Sequence, residues 1–189
     1  MAAQQQFPLF SRILHWTMAA MILAMLFIGI GMVAALADYH WLISIHKPLG
    51  IAILILVAIR LVNRLINPPP PLPPDLPALD RIAINASVRV LYFLMFALPL
   101  VGWGMLSAAD YPVVLWSSLS LPPILPHNAE LYAVLRSTHT MLAFLLFTTF
   151  IGHFSGAMMH ALIFRAGIFE SPIASKYRAM SSCRAVWCH

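Results

Sequence analysis

Four histidines set in long apolar stretches are the residues of this sequence best able to do chemistry. They are His15, His46, His139 and His153. His139 and His153 are fourteen residues apart. In an α-helix this spacing is an advance of about 21 Å and a rotation back to within about 40° of the same face. Their side chains are therefore predicted to leave one helix in the same direction at two depths.

The other two histidines match these two depths. His46 lies near the start of the second apolar stretch, level with His139, and His15 lies near the start of the first, level with His153. An ionisable side chain inside a membrane segment costs free energy and usually has a function. A hydrogen bond to a neighbouring helix explains any one of these histidines alone, but two depth-matched pairs favour coordination of a metal.

The geometry of the pairs favours haem over other metal centres. Haem iron accepts an axial nitrogen on each face of the porphyrin, and helix bundles hold cofactors between facing helices. Zinc needs about four ligands gathered at one point, which pairs about 21 Å apart do not supply. Iron or copper without a porphyrin fails for the same reason. The sequence therefore predicts two b-type haems that exchange electrons, with no catalytic side chain beyond them.

Three further residues fit a two-layer arrangement of haems. Gly29 is fourteen residues beyond His15, and Gly50 is one turn beyond His46, so each is predicted to let a macrocycle approach the backbone. Helix–helix packing explains small residues equally well. Arg60 is fourteen residues beyond His46 and is predicted to pair with a propionate at the inner layer. Its alternative role is that of a cation reaching to the membrane interface.

The elements that position these residues must cross a membrane. The chain has 189 residues, of which 61% are hydrophobic and 9% charged, and its mean hydropathy is +0.86. Soluble domains carry about 25% charged residues, and a chain this short could not bury so much apolar surface in one core. The net charge of +5 comes without basic runs interleaved with aromatics, so nucleic acid is not a predicted partner.

Four apolar segments are long enough to span a bilayer as helices of about 20 residues. They lie at about 12–36, 42–66, 83–107 and 131–164, and together they predict one all-α integral membrane domain, a four-helix bundle, over 1–189. The run NPPPPLPPDLP at 67–77 is predicted to be an extended linker, because proline breaks helices. We expect 108–130 to form a cap on the membrane surface and 166–189, with the two cysteines, to form a tail. The first segment is too long for a signal peptide and is predicted to be retained.

Lysine and arginine residues predict the orientation. They collect before the first helix, on both sides of the proline-rich linker and after the fourth helix. Because cytoplasmic segments carry an excess of these residues, both termini and the linker are predicted to face the cytoplasm.

Several motifs in this order and spacing are typical of one family. They are LHW at 14–16, HKPLG at 46–50, IRLVNRL at 59–65, ALPLVGW at 97–103, HTMLAF at 139–144 and HFSGAMMH at 153–160. From Ser11 to about Arg165 the chain resembles the bacterial cytochrome b561 family, the short di-haem membrane cytochromes that include superoxide oxidase. Val88 stands where many relatives carry a histidine, and RAGIFESP after the fourth helix also departs from the family pattern.

The resemblance implies roles for individual residues. The four histidines would be the axial ligands of two haems b in the bacterial inner membrane. A ubiquinone site is implied near the inner haem, with His160 and, at the same depth, Ser11 and Arg12. Superoxide would be drawn to outer cations, here Lys47 and Arg136.

The resulting hypothesis is superoxide oxidation coupled to ubiquinone reduction. The alternative is a haem b electron-transfer subunit or anchor for a dehydrogenase, a hydrogenase or cytochrome c. A transporter is disfavoured, because the polar residues within the spans are mainly the paired histidines. The sequence leaves the direction of electron flow and the oligomeric state open.

Overall fold

Four long helices dominate the computed structural model, which describes residues 8–68, 77–116 and 119–159. In these ranges the helices are α1 (Leu9–Ala34), α2 (Tyr39–Ile66), α3 (Ala78–Ala108) and α4 (Ala129–Met159). Each is long and apolar enough to cross a membrane. The predicted all-α membrane fold with four spanning helices is confirmed.

The helix ends follow local sequence signals. Pro8 and Pro77 directly precede α1 and α3, where a fixed φ starts a helix without interrupting its hydrogen bonds. As a result α3 begins at Ala78 rather than at about residue 83. A 3-10 turn at Leu36–Asp38 separates α1 from α2, so His40 lies in the first turn of α2. Most of the proline-rich linker, the expected end of the fourth helix and the tail lie outside the described residues.

The connection after α3 contains a hairpin that was not predicted. Strands β1 (Val113–Trp116) and β2 (Leu119–Leu121) pair antiparallel, with Val113 opposite Leu121. Hydrogen bonds tie the residues after β2 to α3, among them that of the Asn128 N–H to the Ala108 carbonyl at 3.0 Å. The Trp103 indole N–H donates to the Pro122 carbonyl at 3.0 Å, and the Ile124 N–H donates to the Ser107 hydroxyl at 3.2 Å.

The turn that ends α3 places an acidic residue in a left-handed conformation. Asp110 has a φ of 60°, and the Tyr111 N–H donates to the Leu106 carbonyl at 2.9 Å. This hydrogen bond, from the sixth residue back to the first, is that of a Schellman motif, which ends many helices. Glycine is the usual residue at its left-handed position.

The helices pack closely along narrow seams. Val57 in α2 and Leu94 in α3 are fully buried, and a Cβ at Gly31 in α1 would lie 3.1 Å from Leu42 Cδ1 in α2. Many large apolar side chains face outwards instead, as Phe27 does with 66% of its surface exposed, which suits lipid contact. A boundary between two compact units falls inside α4, after Thr149.

Candidate functional site

His46 and His139 lie side by side between α2 and α4. Their ring centroids are 6.2 Å apart and their planes are inclined at 64°. The Nδ1 atom of each ring is buried and has no hydrogen-bond partner among the described residues. A buried polar atom without a partner costs free energy and calls for an explanation. Two such atoms on neighbouring imidazoles indicate that a further group belongs here.

The separation of the rings suits two axial ligands of one metal atom. A bond from an imidazole nitrogen to a metal is about 2 Å long, and that nitrogen stands about 1 Å from its ring centre. Two rings on opposite sides of one metal therefore have centroids about 6 Å apart, close to the observed 6.2 Å. Across the described residues there is no group of three or more His, Cys, Asp or Glu able to hold a metal ion. The pair fits a haem better than a zinc ion, which needs about four ligands.

Helix α3 supplies the backbone surface against which His139 rests. A Cβ built on Gly102 would lie 3.2 Å from His139 Cε1 and 3.4 Å from its Nδ1. The backbone of Leu98, one turn before Gly102 in α3, also lies close to this ring. Sequence reasoning missed Gly102, although its place in ALPLVGW is a usable signal.

The two glycines expected beside the haems differ in their surroundings. A Cβ on Gly50 would meet Met25 Cε at 3.7 Å, an ordinary packing contact between α2 and α1. A Cβ on Gly29 would meet no described heavy atom within 4 Å. Gly29 therefore borders open space, whereas Gly50 borders another side chain.

Contacts between α1 and α2 fix which residues share a level. Gly31 lies against Leu42, and Gly50 lies against Met25. His46 is four residues from both Leu42 and Gly50, so it is level with the stretch 25–31 of α1. Gly29 lies within this stretch.

Polar side chains join α1 to α2 at the opposite end of these helices. The Asn63 side-chain amide donates to the Ser11 hydroxyl at 2.7 Å, and the Asn67 amide donates to the Asn63 side-chain oxygen at 3.0 Å. A groove of about 420 Å³ lies beside them, lined by Phe10, Ala58, Ile59, Val62, Asn63 and Ile66.

Arg60 in α2 reaches across to α3 at this same end. Its Nε donates to the Tyr92 hydroxyl at 3.0 Å, while its Nη1 is buried without a partner among the described residues. The Arg64 guanidinium lies over the Tyr92 ring, 5.7 Å from the centroid. Sequence reasoning placed Arg60 at this level but missed Tyr92.

Comparison with known proteins identifies the family. The family model for prokaryotic cytochrome b561 matches residues 6–171, which is most of the chain. This chain belongs to the prokaryotic cytochrome b561 family. The resemblance seen in the sequence motifs is confirmed, and membership implies haem b and electron transfer in the membrane.

Two curated relatives cover much of this cytochrome. It is 26% identical over 162 residues to "Cytochrome b561 homolog 2" of Escherichia coli K12, covering 84% of this chain and 86% of the relative. It is 29% identical over 129 residues to "Probable superoxide oxidase CybB" of Yersinia pestis, covering 66% of this chain and 70% of the relative. Together with the four spanning helices, these matches support a multi-pass protein of the prokaryotic inner membrane.

The other expected site residues of the cytochrome are spread along the helices. His15 is exposed on α1, and His153 is partly buried on α4 beyond the boundary that follows Thr149. Their pairing as ligands of one haem stays a prediction. His160 lies outside the described residues, and Arg12 is exposed at the start of α1.

The cations expected to steer superoxide differ in exposure. Lys47 directly follows His46 in α2 and is partly buried. Arg136 is exposed on α4, and its Nη1 donates to the Tyr132 hydroxyl at 3.4 Å. Arg136 is therefore the more accessible of the two cations.

Proposed function

We propose that this cytochrome carries electrons from superoxide at the outer face of the membrane to ubiquinone near the inner face, through two haems b. His46 with His139 would ligate the outer haem, and His15 with His153 the inner one. The observation that carries the proposal is the pair of buried imidazoles with centroids 6.2 Å apart and partnerless Nδ1 atoms.

The outer site acts mainly through position and burial. When bound, haem supplies one-electron redox chemistry whose potential depends on axial ligation, burial and nearby charge. His46 and His139 lie side by side on α2 and α4, and Gly102 in α3 leaves room for the His139 ring. Gly29 and Gly50 are proposed to leave room for the macrocycle at this level. Lys47 and Arg136 would raise the local concentration of an anionic substrate through their field.

The inner site must bind a quinone and deliver protons to it. The Ser11 hydroxyl accepts a hydrogen bond from Asn63, which leaves its own O–H to donate to a quinone carbonyl. Arg12 and His160 would complete this site, and a histidine titrates in the range needed to pass protons near neutral pH. Two superoxide anions give up one electron each and leave as dioxygen. Ubiquinone takes both electrons and two protons to become ubiquinol.

The distribution of charge supports the proposed orientation. Lysine and arginine gather at the chain ends and around the proline-rich linker, which favours a cytoplasmic position for these segments. The His46–His139 pair would then lie towards the periplasm.

Stopped-flow mixing of the oxidised, purified protein with superoxide tests the proposal. The b-haem absorption bands are followed with and without superoxide dismutase, and ubiquinone is added afterwards. Fast reduction that dismutase abolishes and quinone reverses is the expected result. An absence of haem bands would overturn the whole assignment, whereas haems that do not respond to superoxide would reject only the donor.

A haem subunit for a partner dehydrogenase, hydrogenase or cytochrome c is the second candidate. It is favoured by exposed apolar side chains around the hairpin, among them Tyr111, Val114 and Ile124, which suit docking of a protein as well as contact with lipid. Reversible co-purification of one redox protein, lost in a Val114→Asp variant with both haems retained, would support this candidate.

A further inference from the structure

Helices α2 and α3 carry an excess of positive charge near Tyr92. Arg60 and Arg64 in α2 both contact Tyr92, and the exposed Arg89 lies one turn before Tyr92 in α3. Asp80, in the first turn of α3, is the one acidic residue of these two helices. It lies twelve residues from Tyr92, a distance of about 18 Å along the helix.

The charge of Arg60 is not balanced within the described residues. Its Nε is used by Tyr92, but its Nη1 is buried without a partner. Arg60 as a whole is partly buried, and a cation with a buried nitrogen favours a counter-charge or further hydrogen bonds, because removal from water is costly for a charged group. An anion bound from outside the described residues would supply both the counter-charge and the hydrogen-bond acceptors.

Tyr92 fixes the direction in which Arg60 can bind. Its hydroxyl accepts from Nε at 3.0 Å, which holds the guanidinium plane and leaves the terminal nitrogens to bind elsewhere. The ring of Tyr92 is itself held by Arg64, whose cation lies 5.7 Å from the ring centroid, within the range of a cation–π contact. A held guanidinium is suited to bidentate binding of a carboxylate or phosphate.

The level of Arg60 along the helices indicates which group could supply this anion. The Asn63–Ser11 hydrogen bond of 2.7 Å places these two residues at one level. His15 lies four residues after Ser11, and Arg60 lies three residues before Asn63. Because α1 and α2 run in opposite directions, both lie about 5 to 6 Å from that level on the same side. Arg60 is therefore level with His15.

We propose that Tyr92 positions Arg60 to bind the carboxylate of a propionate on the haem that His15 ligates. This inference rests on the proposed inner haem, and it adds Tyr92 and Arg64 as positioning residues. A cation beside a haem carboxylate favours the reduced state, since reduction removes a positive charge from the iron. Loss of the contact should therefore lower the potential of the inner haem and leave the outer haem unchanged.

Potentiometric titration of the purified full chain, followed by absorption of the two b-haems, tests this inference. In Arg60→Gln, the ratio of reduced to oxidised inner haem at a fixed potential is expected to fall about tenfold, equivalent to about 59 mV for one electron. Tyr92→Phe keeps the ring under Arg64 and is expected to lower the ratio about threefold. Tyr132→Phe is the matched control, because it removes a hydroxyl that contacts Arg136 at 3.4 Å, and it should leave both haems unchanged.

Assignment of the responding haem makes the test specific. The inner haem is the one that stays bound in His139→Ala. Its reduction potential must be the one that changes in Arg60→Gln. If Arg60→Gln does not fold, Arg60→Lys takes its place, because it retains the charge without the Nε donor. The ratio of reduced to oxidised inner haem is then expected to fall less than tenfold.

Three outcomes would overturn the inference. Unchanged potentials together with loss of a bound phospholipid in Arg60→Gln, measured by native mass spectrometry, would identify a lipid phosphate as the anion. Unchanged potentials without loss of lipid would mean that Arg60 binds no anion. A wild-type protein without haem would reject the proposed function as well, so the two failures are distinguishable.

Discussion

The two ends of the α1–α2 pair differ in the contacts that their polar side chains make. At the His46–His139 end, two imidazoles are buried with partnerless Nδ1 atoms. At the other end, polar side chains bond to one another, as Asn63 does with Ser11 and Arg60 does with Tyr92, and only the Nη1 of Arg60 is buried without a partner among the described residues. The first end offers two ring nitrogens without partners among those residues, and the second presents the positive charges of Arg60 and Arg64.

This difference has a direct electrostatic meaning. The His46–His139 end has the cations Lys47 and Arg136 nearby in sequence. At the other end two arginines of α2, Arg60 and Arg64, converge on Tyr92, and their combined charge favours reduced, more negative states in their vicinity. If each end holds a haem, the inner haem should have the higher potential. Electrons would then move from the His46–His139 end towards the Arg60 end, the direction that superoxide oxidation requires.

The largest expected effect comes from removing one ligand at the imidazole end. His139→Ala should abolish binding of one haem, because a single remaining imidazole cannot complete the pair, while the other haem keeps its bis-histidine spectrum. Haem content per protein, by absorbance and electron paramagnetic resonance, measures this. His127→Ala, an exposed histidine in the connection before α4, is the matched control. Two intact haems in His139→Ala would show that the pairing is wrong.

A smaller effect is expected from crowding the same ring. In Gly102→Ala the new Cβ would lie 3.2 Å from His139 Cε1, and overpacking of this kind costs about 1–3 kcal/mol. Thermal unfolding of the apoprotein and the rate of outer-haem loss should both worsen.

Substitution of Gly29 by alanine distinguishes a clash with protein atoms from a clash with bound haem. Gly29→Ala meets no described heavy atom within 4 Å, so stability of the apoprotein should not change. If a macrocycle fills this space, haem loss should nevertheless accelerate. Unchanged haem retention in Gly29→Ala would mean that the glycine does not face the cofactor.

At the polar end, the Asn63–Ser11 hydrogen bond is expected to matter for the quinone and not for haem binding. Asn63→Leu removes a bond of about 1 kcal/mol, so quinone-driven reoxidation of the haems should slow about fivefold while their reduction by superoxide stays unchanged. Asn67→Ala keeps the Asn63–Ser11 bond and should alter the rate less. Equal slowing in both variants would contradict a specific role for Ser11.

The smallest effect is expected from the outer cations. Lys47→Gln and Arg136→Gln should each slow reduction by superoxide about two- to threefold at low ionic strength, with the difference fading as salt screens the field. Arg89→Gln, an exposed cation on α3, is the control. A rate loss that is independent of salt would indicate a structural effect instead of steering.

The positions of the helices were predictable because a run of about 20 apolar residues has few alternatives to spanning a bilayer. The levels of the histidines followed from the helical rise, which is why His46 and His139 could be placed at one depth from their numbers alone. The hairpin was harder to foresee. Its strands are only four and three residues long. The prolines around them favoured an irregular surface segment over a pair of strands.

Contacts across helix interfaces were the part that the sequence did not reveal. Tyr92 lies 32 residues from Arg60, and the rotation of α3 about its axis decides whether the two meet. Gly102 raised the same difficulty, because a glycine in a membrane helix serves many kinds of packing. Only the neighbouring ring of His139 indicates what this glycine does.

The turn after α3 bears on how such a cytochrome could be engineered. Asp110 holds the left-handed conformation at φ 60°, a geometry that glycine adopts without strain. It also carries a negative charge on the face proposed to receive an anion. Directed evolution for heat tolerance and selection for faster capture of superoxide would therefore favour the same replacement, Asp110→Gly, so the usual conflict between stability and activity would not arise at this position.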